Sequence, residues 1–234
     1  MEPLSNCISL VHMISSGTRG SRKLFWRNVR MECERLCSEC GRFTNWDLLA
    51  SMQAVSIYIL FRLDEGETEQ NDFDSLLLAT VTILAQQLIR KDIASNYSLE
   101  RSWKDWLYEE SRRRLGVIYR IVNMLVYFDA AKMCNLPSDL VLAPLPAKKE
   151  LWEAGDEQAW NLECEKDPGA IFDFGLAKSG GLVRLGDGVQ DAVLVHTAIT
   201  SESPARTSVG WEEWCSGMDG FGGLVMLAAS LVVE

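Results

Sequence analysis

Along one stretch of this chain apolar residues recur at helical steps for longer than anywhere else. Trp103, Trp106, Leu107, Val117, Ile118, Ile121, Leu125 and Phe128 share a single stripe of an α-helix. Their spacing predicts a long central helix over about 101–134. It ends near Asn135, because Pro137 disfavours helical backbone at the residue before it. Glu110 and Arg114 interrupt the stripe at the i,i+4 spacing, in the Glu-before-Arg order that favours an ion pair. If the stripe is buried, the pair is buried with it.

Three helices are expected before it. Ser21 to Cys40 brings Leu24, Val29, Leu36 and Cys40 near one another. Trp46 to Leu63 is apolar around most of its circumference, as suits a helix covered on several sides. Phe73 to Arg90 offers Asp72 or Asp74 as an N-cap and turns Leu76, Leu77, Thr80, Leu84 and Leu88 inward. The acidic run Asp64 to Asp72 joins the last two and lacks the ligand spacing of a calcium loop. Residues 1–20 end on Gly17 to Gly20 and are expected to be loosely ordered. After the central helix, Ser138 to Pro146 reads as a loop. Pro146 suits the first position of a short helix through Trp152, and Asp156 suits the cap of another through Cys164. Beyond Asp167-Pro168-Gly169 the pattern is irregular, with short strands expected at Leu182 to Leu185 and Ala192 to Val195. The last dozen residues suit a buried closing helix. The fold class that follows is all-α: a multi-helix domain around a long helix, with an irregular C-terminal region carrying short strands.

The ordered residues of the central region resemble the regulatory, or middle homology, region of fungal-specific transcription factors of the zinc-cluster type. The likeness is carried by Trp103 and Trp106 a turn apart, Glu110, the pair Arg113 and Arg114, the aliphatic run Val117 to Val126 and the small-residue end Ala130 to Cys134. After a loop come Leu145 and Pro146, then Leu151, Trp152 and Ala154, then Trp160. The Leu-Ala-x-x-Gln-Ala helix within Trp46 to Leu63 and the Phe-Gly-Leu-Ala segment near 174–177 look like the same family. The resemblance implies one regulatory domain over 21–234, clearest at 46–165, with a C-terminal segment over 170–234. It implies an effector or interaction role in transcription and a nuclear location. Implied partners are a second copy or another regulator, with DNA reached only indirectly, and the family leaves room for a small-molecule effector. Zinc in the family belongs to a DNA-binding module. This chain has neither a six-cysteine cluster nor a two-Cys two-His finger, so no cofactor is expected, and the module is expected to be missing upstream or supplied by a partner.

Composition narrows the function classes. A net charge of −10 and a sequence pI near 4.8 oppose a free-standing nucleic-acid binder, whose phosphate contacts need a basic face. The one basic run, Arg19, Arg22, Lys23, Arg27 and Arg30, reads as a solvated helix face. The longest apolar runs, Ser75 to Ile89 and Gly222 to Val233, fall short of the roughly 20 residues that span a bilayer, so no membrane contact is expected. Seven cysteines in apolar surroundings read as free thiols.

Three fragments look like chemistry. Cys33, Cys37 and Cys40 have the spacing of an iron–sulfur cluster site. They fall inside a helical pattern, however, with no alternation of strands and helices downstream, and as a zinc site they lack a fourth ligand near in sequence. Ile171 to Lys178, IFDFGLAK, reads like the metal-binding segment of a protein kinase, yet no His-Arg-Asp loop, Ala-Pro-Glu segment or glycine-rich loop accompanies it. A nucleophile elbow is absent, and His12 and His196 are the only histidines. The chain therefore reads as no enzyme. The competing class is an all-α ligand-binding or enzymatic protein with a pocket beside the central helix. Purified protein is expected to carry no stoichiometric zinc or iron. Elemental analysis finding a stoichiometric metal that is lost in Cys33→Ala or Cys37→Ala would overturn the structural reading of the cysteines.

Overall fold

The computed structural model describes residues 2–15, 20–65, 72–94, 102–126, 140–166, 174–177, 180–184 and 211–232. The chain divides into two compact units, Met1–Tyr97 and Ser98–Glu234. The single domain expected over 21–234 is divided between these two units, with the boundary after Tyr97.

The first unit holds α1 (Glu2–Ser15), α2 (Ser21–Glu39), a 3-10 turn (Cys40–Arg42), α3 (Asn45–Asp64) and α4 (Asp72–Ala94). α3 packs on α1 and α4, and α2 completes the ring by packing on the same two helices. The expectation of a loose N-terminus is corrected here. Pro3, Cys7, Leu10 and Ile14 recur at helical steps, Cys7 is fully buried, and its thiol donates to the Ala54 carbonyl of α3 at 3.8 Å. α3 starts on a capping box: Thr44 Oγ1 accepts from the Asp47 N–H at 3.1 Å, and Asp47 accepts from the Thr44 N–H at 3.2 Å. α4 begins at Asp72, and Asp74, inside its first turn, pairs with Arg62 of α3 at 2.9 Å. Aromatic rings tie the helices together. Phe25 meets Tyr58 edge-on at 6.2 Å between centroids, and Trp26 meets Phe73 at 5.1 Å. Leu24, assigned to the inner face by its spacing, is 48% exposed, and Val29, Cys33 and Leu36 fill that face instead. The basic run is not wholly solvated either: Arg22 reaches Glu65 at 3.0 Å and Arg30 lies over the Phe73 ring.

The second unit opens with α5 (Trp103–Val126), the central helix; the expected extension to 134 lies outside the described residues. Its start is fixed by a second capping box, between Ser102 and Asp105. Tyr108, Ser111, Arg112, Leu115 and Val122 are buried as well as Trp106, Glu110, Arg114, Val117 and Ile121 of the expected stripe, so the helix is covered more widely than one stripe requires. Three short antiparallel strands follow in the order β1 (Leu140–Leu142), β2 (Phe174–Ala177) and β3 (Leu182–Arg184). β1 occupies the segment expected as a loop. The kinase-like fragment supplies β2, with Ile171 to Asp173 outside the described residues, as is the strand expected at Ala192 to Val195. Pro146 does not open a helix: α6 (Lys149–Trp152) begins three residues later, and Pro146 is buried in the link from β1. Asp156 does cap α7 (Glu157–Lys166), accepting from the Ala159 N–H at 2.8 Å. α8 (Trp211–Cys215) and α9 (Gly220–Val232) complete the unit.

The core of this unit gathers Val117 and Ile121 of α5, Leu142, Phe174, Leu176 and Leu182 of the sheet, Leu145, Trp214 of α8, and Val225, Ala228 and Ala229 of α9. α9 is therefore only half buried. Its opposite face leaves Leu224, Met226 and Leu227 between 42% and 51% exposed.

Candidate functional site: a buried charge node on the central helix

Helix periodicity places Trp103, Trp106, Leu107, Glu110, Arg114 and Val117 on one side of α5, and the link from β1 to α6 lies against that side. Trp106, Ala147 and Leu151 form a buried cluster with Trp103, Leu107, Trp160 and Cys164 packed around it. The Trp106 and Trp160 rings sit 5.7 Å apart between centroids. One turn further along α5, the apolar surface gives way to charge.

Glu110 is 1% exposed and accepts three hydrogen bonds. Arg114 Nε donates to its Oε1 at 2.9 Å, the Ala147 N–H donates to the same oxygen at 2.9 Å, and Arg113 Nη1 donates to Oε2 at 3.2 Å. Arg114 uses the rest of its guanidinium on two further segments. Nη1 donates to Asp219 Oδ2 at 2.7 Å, and Nη2 reaches the Ala147 carbonyl at 3.4 Å. Its plane lies 4.4 Å from the Trp152 ring centroid and 5.4 Å from that of Phe221. Asp219 also accepts from the Phe221 N–H at 2.9 Å, which fixes the entry to α9. A planar fork with this many directed donors, stacked on an aromatic face, is a use of arginine that lysine cannot reproduce.

Burial pushes the Glu110 carboxyl above its ordinary 4.5, against the pull of Arg113, Arg114 and the Ala147 N–H. Asp219 goes the other way. Burial opposes its charge, but the hydrogen bonds from Arg114 and Phe221 prevail and hold it below 3.8.

Ten residues of the ordered motif lie at or near this node, and Ala130 to Cys134 are outside the described residues. Glu110, Arg113, Arg114 and Trp152 build it. Trp103, Trp106, Leu151 and Trp160 form the adjoining apolar cluster. Leu145 enters the sheet core while its N–H donates to the Phe174 carbonyl at 2.7 Å, and Pro146 is buried between the two groups. Sequence reasoning missed Ala147, Asp219, Phe221 and Gly217. The Gly217 carbonyl accepts from the Lys149 N–H at 2.7 Å, and a Cβ there would stand 2.8 Å from the Lys148 side chain. The only signal for Gly217 is its type, a glycine where two segments approach closely.

Glu110 and Arg114 are buried and both Glu110 oxygens accept hydrogen bonds, the geometry of a structural clamp. The thiols fit the same description. Cys33 is fully buried and burial raises its pKa to about 12, the Cys37 thiol contacts Thr80 at 3.7 Å, and Cys40 donates to the Cys37 carbonyl at 3.2 Å. Among the described residues no three His, Cys, Asp or Glu side chains are grouped so as to hold a metal ion, and no helix is long and apolar enough to cross a membrane. His196 lies outside the described residues. No family model matches this chain, and no curated protein or solved structure is significantly similar to it.

Removing one partner of a buried, hydrogen-bonded pair leaves the other charge uncompensated. Arg114→Ala is therefore expected to cost about 3–5 kcal/mol, against under about 1 for an exposed pair. Urea unfolding measures it, and a loss below about 1 kcal/mol would mean that the pair behaves as a surface one.

Asp219 and Glu110 have opposite pH signs. The Asp219 contribution is complete above its ordinary 3.8 and is lost as pH falls through its lowered value. The Glu110 contribution is complete below 4.5 and is lost as pH rises through its raised value. Asp219→Asn is expected to flatten the acid-side loss in unfolding free energy measured at stepped pH. An unchanged acid limb would remove Asp219 as its source.

Proposed function

We propose that this chain is the effector and interaction region of a transcription regulator of the fungal-specific type, brought to DNA by a module or partner that supplies the DNA contacts. One observation carries the reading. Residues resembling the ordered family motif, spread in sequence from Trp103 to Trp160, converge around a single clamp of Glu110, Arg114 and Trp152 with an apolar cluster beside it. A motif of scattered tryptophans and charges has a physical reason to keep its order when it describes one packed object. The net charge of −10 supports the second half of the reading, since a protein that held phosphates by itself would need a basic face. On this reading the chain works in the nucleus and engages proteins, either a second copy or another regulator.

Fused to an unrelated DNA-binding domain in a fungal reporter strain, the chain is expected to change transcription. Glu110→Ala should abolish that effect by breaking the clamp, and the bare chain should show negligible DNA affinity at physiological salt. An inert fusion, with a bare chain that binds DNA or turns over a small molecule, sinks the proposal.

A further inference from the structure

The helices of the first unit do not share charge evenly. No Asp, Glu, Lys or Arg occurs from Pro3 to Ser15 of α1 or from Leu48 to Phe61 of α3, and α4 has none from Ser75 to Ile89. On α2, by contrast, exposed Arg22, Lys23, Arg27 and Glu34 turn charge outward along its length. An uncharged inner face is what any core needs. An uncharged outer face is not, and in a chain of net charge −10 it needs a physical reason.

Contacts locate that outer face. Successive residues of a helix point about 100° apart. Asn6 of α1 donates to Glu32 of α2 at 3.3 Å, and Cys7 donates to the Ala54 carbonyl of α3. Ile8, one step further round and away from α2, is 55% exposed. On α3, Arg62 reaches Asp74 of α4, while Ile57 and Leu60 lie to the other side of Ala54. Leu60 is 47% exposed, and Trp46, on the same stripe of α3 at helical steps through Gln53 and Ile57, is 39% exposed. Because α1 packs on α3, Ile8 and this stripe border one neutral, apolar surface.

We infer that this surface of α1 and α3 is where a second copy of the chain docks. The inference deepens the effector reading, which allows a second copy or another regulator, and rests on it only for its use in transcription. Charge chooses the occupant. A basic or acidic protein, nucleic acid or an anionic membrane is recognised through countercharges, and this face offers none. A second copy brings the same neutral face, so two copies meet here without burying an ion, while the charge of −10 keeps them apart elsewhere. Depletion of charge around a tryptophan and exposed aliphatic side chains is also the compositional mark of an interface centre. The area sets the strength. Two helices about 20 Å long and together about 20 Å wide offer on the order of 400 Å² per copy, or roughly 800 Å² for a pair. A stable dimer buries more than about 1,200 Å², so this pair is weak and reversible. Added salt screens the repulsion between the acidic chains and leaves the apolar contact in place, so it tightens the pair.

Sedimentation equilibrium of the full chain over a concentration series tests this without any transcription readout. The apparent mass is expected to rise from 26.3 kDa toward twice that value, and at lower concentration when salt is added. Ile8→Glu and Leu60→Glu, each placing a charge in the contact, should weaken association at least about tenfold with unchanged circular dichroism. Met31→Glu is the control: Met31 is 57% exposed but lies on charged α2, and its change should leave association as it was. A chain that stays monomeric at every concentration overturns the inference, as does a dimer that neither Ile8→Glu nor Leu60→Glu weakens. Equal weakening by Met31→Glu overturns it too, since added charge and not this face would then be the cause. A monomeric chain whose reporter output falls with Ile8→Glu assigns the face to a different protein, which overturns the second copy and leaves the effector reading standing. A dimer weakened as described, with an inert reporter fusion, sinks the effector reading alone.

Discussion

The second unit depends on the burial of one carboxylate. Taking Glu110 and Arg114 out of water costs several kcal/mol per ion, and the attraction between them offsets this only where the remaining donors and acceptors are also met. Here they are met by segments remote in sequence: the Ala147 N–H and carbonyl, Asp219 and the faces of Trp152 and Phe221. A packing that moved the β1–α6 link or the start of α9 would strand a charge in the interior. An apolar pair of equal volume could hold the same elements together with comparable stability, but it would not specify their register so narrowly. The clamp works by making the alternatives expensive.

The same logic accounts for what could be read from the sequence. α2, α3, α4 and α5 were legible because each runs for five turns or more with an unbroken period, and the burial of Glu110 with Arg114 followed from their place on a stripe. Their other partners were not legible. Asp219 lies 105 residues from Arg114, and no local pattern marks it as the residue that meets a guanidinium. The strands were hard for a different reason: three or four residues are too few to display an alternation, and β1 sat among prolines that spoke for a loop. α1 has a usable period in Pro3, Cys7, Leu10 and Ile14, but the glycines behind it, Gly17 and Gly20, speak for a break. The closing helix was recognised as apolar, yet nothing in an uncharged run says which side faces inward.

Apparent motifs in this chain also have a geometric origin. Cys33, Cys37 and Cys40 sit at the i, i+4, i+7 positions that any helix uses to present one face, and α2 uses that face to pack on α4 through Thr80. A metal-ligand spacing and a core-facing helical spacing coincide here. Their environments separate the two: a ligating thiolate wants access and stabilised charge, whereas these thiols lie in apolar packing that holds Cys33 protonated. The fragment around Phe174 is similar, its glycine and leucine serving as the middle strand of a small sheet.

The span between Arg114 and Asp219 has a consequence for how the protein comes into being. The first unit is built from helices that neighbour one another closely in the chain, so its contacts become available early as the polypeptide leaves the ribosome. Within the second unit the central helix is made before the carboxylate that meets Arg114, 105 residues further on, and before the helix that covers Val117 and Ile121. During that interval Arg114 lacks Asp219, and the aliphatic side chains of the central helix lack the cover of α9. Of the two units, the nascent second is thus the more exposed to misassembly and the more in need of protection by chaperones.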